Sequence, residues 1–288
     1  RLNTPDWLWE SWLAAYGEPA CRMIAEAHLS EPPLDISVKK DAAAWAERLD
    51  ARLLPTGTLR RRLGGPVTEL PGFAEGAWWV QDAGAALPAK LLGDVAGRSV
   101  IDLGAAPGGK TAQLAAAGAR VTAVDRAEAR LGRLRENLGR LGLTATLVAA
   151  DAETWRPREP ADAVLLDAPC TATGTIRRHP DVARLKTPDD VATLADAQDR
   201  LLAAAMAMVR PGGELVYCTC SLQPEEGPAR IERLLEAGAP VERLPVGPAD
   251  TGGLGELVSA AGDLRTLPGQ LAAAGGIDGF YAARLARL

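Results

Sequence analysis

Beyond residue 100 the chain alternates short apolar runs with longer amphipathic stretches. The runs at 100–103, 120–124, 146–149, 163–166, 214–218 and 280–284 predict strands, because each is brief, apolar and bounded by glycine, proline or polar residues. Between them, 126–141, 189–209 and 225–237 carry apolar positions at helical spacing. Strands that alternate with helices through short connections predict an α/β fold, a mostly parallel sheet covered on both faces. Pro211, Gly212 and Gly213 predict a tight turn feeding the fifth strand. Residues 244–276, rich in Gly, Pro and Ala, read as a long connection.

The front of the chain has another rhythm. Asn3, Thr4, Pro5 and Asp6 offer a helix start, after which Trp9, Trp12, Leu13 and Tyr16 recur at helical spacing. That aromatic face reads as core packing, with a base-stacking platform as the alternative. Pro32 and Pro33 break the chain, Leu34, Ile36 and Val38 alternate as a strand does, and 41–49 is helical. Arg60, Arg61 and Arg62 read as a solvated basic edge. Gly64, Gly65, Pro66, Pro71 and Gly72 punctuate the next stretch, and Trp78 to Asp82 leads into a helix ending near Leu92. Two domains are expected: a small α+β unit at 1–75 and a larger α/β unit at 76–288.

With 288 residues, 47% of them hydrophobic, the chain is long enough for real cores. A formal net charge of −5 argues against a protein that coats nucleic acid through bulk charge, and leaves a local basic patch as the alternative. Four cysteines, Cys21, Cys170, Cys218 and Cys220, are too few and too uneven for a disulfide scaffold, so reduced thiols are expected. No apolar run is long enough to span a membrane and no leader pattern is seen, which gives the cytoplasm as the expected location. Arginine at position 1 gives the expectation of a fragment with an upstream domain missing.

Two incompatible readings begin at the first strand of the larger unit. Gly104 to Thr111 matches the phosphate-loop pattern G-x-x-x-x-G-K-[ST], and 163–166 followed by Asp167 resembles an apolar strand ending in a magnesium-associated aspartate. Against this, Pro107 removes one N–H from a cradle built of such donors. Asp125, at the end of the next strand, is placed to accept ribose hydroxyls, which a phosphate loop does not require. Asp151 after the third strand is the natural partner for an adenine amino group. Asp125, Asp151 and Asp167 at successive strand ends make a cleft suited to a cationic nucleoside, S-adenosylmethionine, although each carboxylate alone also reads as a cap or a solvated loop residue.

Cys170 follows the fourth strand and Cys220 the fifth, so both thiols are expected at the ligand-binding edge. Metal ligation is not expected from a chain with 2 histidines and a Cys218-x-Cys220 spacing, and Cys218, inside its strand, reads as a buried hydrophobe. A thiolate beside a methyl donor fits the chemistry of pyrimidine carbon 5, which becomes nucleophilic once a thiolate adds to carbon 6. A second group must then take the carbon-5 proton, and an acid near ring nitrogen 3, for which Asp167 is the candidate, assists the addition.

The segments 104–111, 167–181 (Asp-Ala-Pro-Cys-Thr-Ala-Thr-Gly-Thr-Ile-Arg-Arg-His-Pro-Asp) and 219–221 with Pro224, Glu225 and Glu226 resemble the Sun/Nop family of RNA cytosine-5 methyltransferases. Within that family the likeness is to the bacterial branch acting on small-subunit ribosomal RNA. It extends from the Trp-rich start to the stretch Asp278 to Tyr281. The resemblance implies a Rossmann-like S-adenosylmethionine-dependent methyltransferase domain preceded by a small RNA-contacting domain. It also implies Cys220 as nucleophile and Cys170 as the residue assisting product release, together with Asp167. Cofactor contacts are implied for Gly104, Ala105, Ala106, Pro107, Gly108, Gly109, Lys110, Asp125, Arg130, Asp151 and Asp167. Gly104 departs from many members, which carry cysteine there, and the helical RNA-binding domain of the bacterial enzyme has no counterpart in this sequence. Arg177, Arg178 and His179 are expected on RNA phosphates, with a solvated basic loop as the alternative. The implied partner of this monomer is RNA, ribosomal or transfer. The competing readings are Cys170 as the nucleophile, a phosphate-loop NTPase, and a non-catalytic RNA-binding assembly factor.

Overall fold

The computed structural model describes residues 2–62 and 64–288. The chain begins with α1 (Asp6–Ala27), interrupted at Gly17, whose φ of 77° and ψ of 168° are not helical. Then come β1 (Leu34–Val38), α2 (Ala42–Arg48), β2 (Arg52–Leu53), β3 (Leu59–Arg61) and β4 (Trp78–Val80), which make an antiparallel sheet in the order β2-β3-β1-β4. Leu34, Ile36, Leu49, Leu59 and Trp78 form its core. The first sheet thus reaches Val80, past the division at residue 75 drawn from the sequence.

The second part runs α3 (Ala83–Lys90), β5 (Ser99–Leu103), α4 (Gly109–Ala116), β6 (Arg120–Asp125), α5 (Glu128–Leu141), β7 (Thr146–Ala149) and β8 (Ala161–Asp167). It continues through α6 (Val182–Leu185), α7 (Pro188–Met208), β9 (Val209–Thr219), α8 (Pro228–Glu236), β10 (Val241–Arg243), β11 (Leu264–Thr266) and β12 (Phe280–Arg287). The sheet order is β10-β12-β9-β8-β5-β6-β7, with β11 on β12. β7, β6, β5, β8 and β9 are parallel, and β12 enters antiparallel to β9. This is the α/β architecture with a mostly parallel sheet that the alternating pattern predicts, and the Rossmann-like arrangement that the resemblance implies. Strand order reverses between β5 and β8, and the carboxyl ends on either side of that point open the crevice where such sheets bind ligands.

Both faces are apolar because side chains alternate along each strand. In β8, Val164 and Leu166 join the core under α7 and α8, while Ala163 and Leu165 join the core under α3. Three local expectations change. Pro211 to Gly213 lie inside the long β9, at an irregularity in its register with β8. The connection at 244–276 contributes the strand β11. Arg60 is no solvated edge: it is 5% exposed, and its Nε and Nη2 donate to the two Asp35 oxygens at 2.6 Å each. Asp35 also accepts the Ala83 N–H at 2.9 Å, which ties the first sheet to α3.

The tryptophan-rich helix packs as core. Leu8, Trp12, Cys21 and Ile24 meet Ile176 and Leu222, residues of the loops that follow β8 and β9. Trp12 Nε1 donates to Gln223 Oε1 at 2.7 Å, Gln223 Nε2 donates to Ser11 Oγ at 2.8 Å, and the Tyr16 hydroxyl donates to the Leu222 carbonyl. α1 therefore braces the chain just beyond Cys220. Among the described residues no helix is long and apolar enough to cross a membrane.

Candidate functional site

A cleft of about 350 Å³ lies at the carboxyl edge of the parallel strands, a size in the range of small-molecule sites. Gly104, Asp125, Asp151, Asp167, Cys170 and Cys220 all border it. Residues from four strand ends and one turn, expected from sequence to act together, are thus brought to one place.

The turn after β5 forms one wall. Gly104 and Ala105 donate to the Val124 carbonyl at 3.0 and 3.2 Å, which folds the turn over the end of β6. Gly104 has a φ of 75°, and a Cβ there would come within 2.3 Å of the Asp167 carbonyl oxygen, so in this chain the turn runs too close to β8 to hold a side chain. Gly108, with φ of 107°, caps α4 against Leu134. Pro107 is exposed, Gly109 opens α4, and the peptide between Ala106 and Pro107 is cis.

Asp125 is buried beneath this turn. Its carboxylate accepts Ala106 N–H at 3.2 Å and Ala127 N–H at 3.0 Å, and Arg130 Nη1 lies 3.5 Å from Oδ2. Arg130 also donates to the Ala106 carbonyl. Asp151 is exposed on the cleft wall, with the Glu153 N–H on one oxygen at 2.9 Å. Each carboxylate oxygen has two acceptor directions, so both groups retain capacity for hydroxyl or amino donors of a ligand.

Lys110 is not among the residues that line the cleft. Its Nζ is 2.8 Å from Asp167 Oδ2, with side-chain exposures of 10% and 30%, and it sits 5.1 Å from the Phe280 ring centroid. Burial opposes the lysine charge, but the neighbouring Asp167 and further acidic groups outweigh it and hold the ammonium's pKa above its ordinary value. The lysine of the motif is therefore engaged by the protein's own carboxylate. Beneath it, Asp102 is fully buried: Oδ2 accepts the Thr111 hydroxyl at 2.5 Å and Oδ1 has no partner. Burial pushes its pKa up to about 7, against the lowering effects of Thr111 and Lys110.

Cys170 Sγ and Cys220 Sγ are 3.5 Å apart, both partly exposed and both free thiols. The contact with Cys220 and burial raise the Cys170 pKa well above the ordinary thiol value. Cys218 is fully buried, 3.6 Å from Asp167 Oδ1. Glu226, one of two adjacent glutamates in the motif, turns inward and is fully buried while Glu225 is exposed. It was not singled out from the sequence, since nothing in the pair says which side chain the turn at Pro224–Glu226 directs inward.

The basic loop after Cys170 divides. Arg177 does not face solvent: its side chain is 2% exposed, Nε donates to Asp278 Oδ1 at 2.7 Å, and Nη2 donates to Asp82. Two buried carboxylates hold it, so it is unavailable to RNA phosphates. Arg178 is 35% exposed and shares Asp278, at 2.5 Å from Oδ2, while His179 is exposed beside it.

Comparison with known proteins places this geometry in a family. The chain is 38% identical to ribosomal RNA small subunit methyltransferase B of Vibrio cholerae and 39% identical to the protein of the same name from Pseudomonas syringae, covering 100% of this chain and 66% of each relative. The chain thus spans a little under two thirds of the length of these curated relatives. A solved methyltransferase homolog protein from Pyrococcus horikoshii superposes with a TM-score of 0.81 at 29% identity, over 100% of this chain and 97% of that one. Residues 89–286 match the model of the 16S rRNA methyltransferase RsmB/F family, and the chain belongs to that family.

Proposed function

We propose that this chain methylates carbon 5 of a cytosine in RNA, with small-subunit ribosomal RNA as the substrate, S-adenosylmethionine as the methyl donor and a covalent cysteine adduct on the path. The observation that carries the reading is the pair of free thiols 3.5 Å apart at neighbouring strand ends, on the rim of a cleft lined by Asp125 and Asp151. Membership of the family and the names of its relatives support RNA as substrate class.

The cleft fits the donor. Its volume is adequate, the turn presents only Gly104 and the small Ala106 to it, and the acceptors Asp125 and Asp151 suit ribose hydroxyls and an adenine amino group. The residues that would hold it are Gly104 to Gly109, Asp125, Arg130 and Asp151. When bound, S-adenosylmethionine supplies an electrophilic methyl group on a sulfonium.

The protein's part is to make carbon 5 nucleophilic. Cys220, as thiolate, forms a bond from sulfur to carbon 6 and pushes the carbon 5–carbon 6 electron pair onto the ring. Asp167, entering as its protonated acid, gives a proton to nitrogen 3 as the sulfur–carbon 6 bond forms, which neutralises the charge developing there, and the carboxylate that results is held by Lys110. After carbon 5 is methylated, Cys170 assists removal of its proton, the double bond reforms, and the Cys220–carbon 6 bond breaks. Of the three basic residues, His179 and the exposed part of Arg178 remain for RNA phosphates. Transfer of tritiated methyl from S-adenosylmethionine to small-subunit RNA, with nucleoside analysis for 5-methylcytosine, tests the reading. Label on another nucleoside, or calorimetric binding of ATP with magnesium in preference to S-adenosylmethionine, overturns it.

A further inference from the structure

Two backbone bonds join the thiol-bearing loops, from Ala168 N–H to the Cys218 carbonyl and from Gly174 N–H to the Cys220 carbonyl, both at 2.9 Å. Between these two bonds the side chains of Thr171, Thr173, Ser221 and Glu226 join the loops, Thr171 and Thr173 each with a hydroxyl 3.3 Å from Ser221 Oγ, and Glu226 is the residue that meets both Thr171 and Ser221 with a charged group. Glu226 accepts the Thr171 N–H at 2.8 Å and the Thr171 hydroxyl, one residue after Cys170. It also accepts the Ser221 hydroxyl at 2.5 Å, one residue after Cys220, and Gln198 Nε2 at 3.2 Å. Its own carbonyl accepts the hydroxyls of Tyr217 at 2.9 Å and Thr219 at 3.1 Å, which anchors the residue to β9. Gln198 in turn donates to the Pro169 carbonyl at 2.8 Å.

We propose that Glu226 is a positioning residue that holds Cys170 and Cys220 at reacting distance, its carboxylate spanning the residues that follow each cysteine. The donors that meet the carboxylate are uncharged, and burial raises its pKa, so the fold places an acid here against a desolvation cost. Four donors converge on two oxygens, a job no apolar side chain performs. A glutamine can perform it. Its oxygen keeps Thr171 N–H and Gln198, and its amide hydrogens meet the Thr171 and Ser221 hydroxyl oxygens, whose protons rotate away.

The inference deepens the assignment of the two cysteines under the proposed function, and its test has a half independent of that assignment. Diamide takes two hydrogens from the thiol pair and is reduced to the hydrazine while a Cys170–Cys220 disulfide forms, so the rate of closure reports how well the thiols are aligned. Glu226→Ala is expected to slow closure about tenfold or more, and to lower kcat for methylation about a hundredfold with the RNA KM within about threefold of wild type. Glu226→Gln should stay within about threefold on both counts. Should Glu226→Ala fail to fold by thermal melting, Thr171→Val, which removes one of the four donors, takes its place and should slow closure measurably. Wild-type closure in Glu226→Ala or Thr171→Val overturns the proposal, as does a Glu226→Gln as slow as Glu226→Ala. If closure responds as expected while no RNA is methylated by wild type, the positioning role stands and the functional reading fails.

Discussion

Replacing Lys110 by methionine separates the two meanings of the glycine-rich loop. At 2.8 Å and an effective dielectric of about 20, the attraction between Lys110 and Asp167 is about 6 kcal/mol before desolvation. Removing one member of a buried pair costs about 3–5 kcal/mol, and Asp167, 30% exposed, keeps part of its hydration, so about 2–3 kcal/mol is expected. For a chain of this size that is a melting temperature lower by about 4–10 °C. A double-mutant cycle in urea with Lys110→Met and Asp167→Asn should return a coupling of about 2 kcal/mol. The lysine's pKa is raised in the folded state, so its contribution is fully present below its unfolded value of about 10.4 and is lost only as pH rises through the higher folded value. The coupling should therefore be flat across neutral pH. Calorimetry on the same variant should find S-adenosylmethionine affinity within about fivefold of wild type, because Lys110 does not border the cleft. Effects that add to within about 0.5 kcal/mol would refute the pairing and reopen a ligand role for the lysine.

Further outcomes follow from the same geometry. Asp102, with a folded pKa of about 7, holds a proton between its unfolded and folded values that the unfolded chain has lost, so stability falls as pH rises from about 4 to 7. Asp102→Asn should remove that slope and raise the melting temperature at pH about 8, and a slope unchanged in the variant would contradict the burial argument. Asp125→Ala should weaken S-adenosylmethionine binding about tenfold to a hundredfold by calorimetry, the worth of hydrogen bonds to a charged acceptor, whereas unaltered affinity would move the ribose elsewhere. Arg177→Met should cost about 3–5 kcal/mol of stability by leaving buried Asp82 without its cation and Asp278 with Arg178 alone, without changing the slope of RNA affinity against salt. A slope reduced by about one would return Arg177 to the RNA surface.

The large sheet was legible because each of its parallel strands is an apolar run with its own boundaries, and its carboxyl ends carry Asp125, Asp151, Asp167 and Cys170 in order. The short strands β2, β3, β4 and β10 were not, since two or three residues have no periodicity and become strands by pairing with a neighbour. The charges failed for a related reason. Arg177 meets Asp82 and Asp278 across separations of 95 and 101 residues, and Arg60 meets Asp35 across 25. A basic run read by itself appears solvated until the fold brings the carboxylates over it. Glu226 is the local counterpart: the motif contains it, but only the turn after Ser221 shows that it faces both cysteine loops. The Lys110–Asp167 pair joins the start of α4, the helix that follows β5, to the end of β8, a strand adjacent to β5 in the sheet and far from it in the chain.

The central claim is that Cys220 attacks the base and Cys170 completes release, and trapping with RNA that contains 5-fluorocytosine tests it most directly. Fluorine at carbon 5 cannot leave as a proton does, so the thiol–carbon 6 bond persists and the complex survives denaturing electrophoresis. Wild type should form the adduct in the presence of S-adenosylmethionine, Cys220→Ala should form none, and Cys170→Ser should trap even unsubstituted RNA. Trapping by Cys220→Ala with none by Cys170→Ser would contradict the account and exchange the two roles.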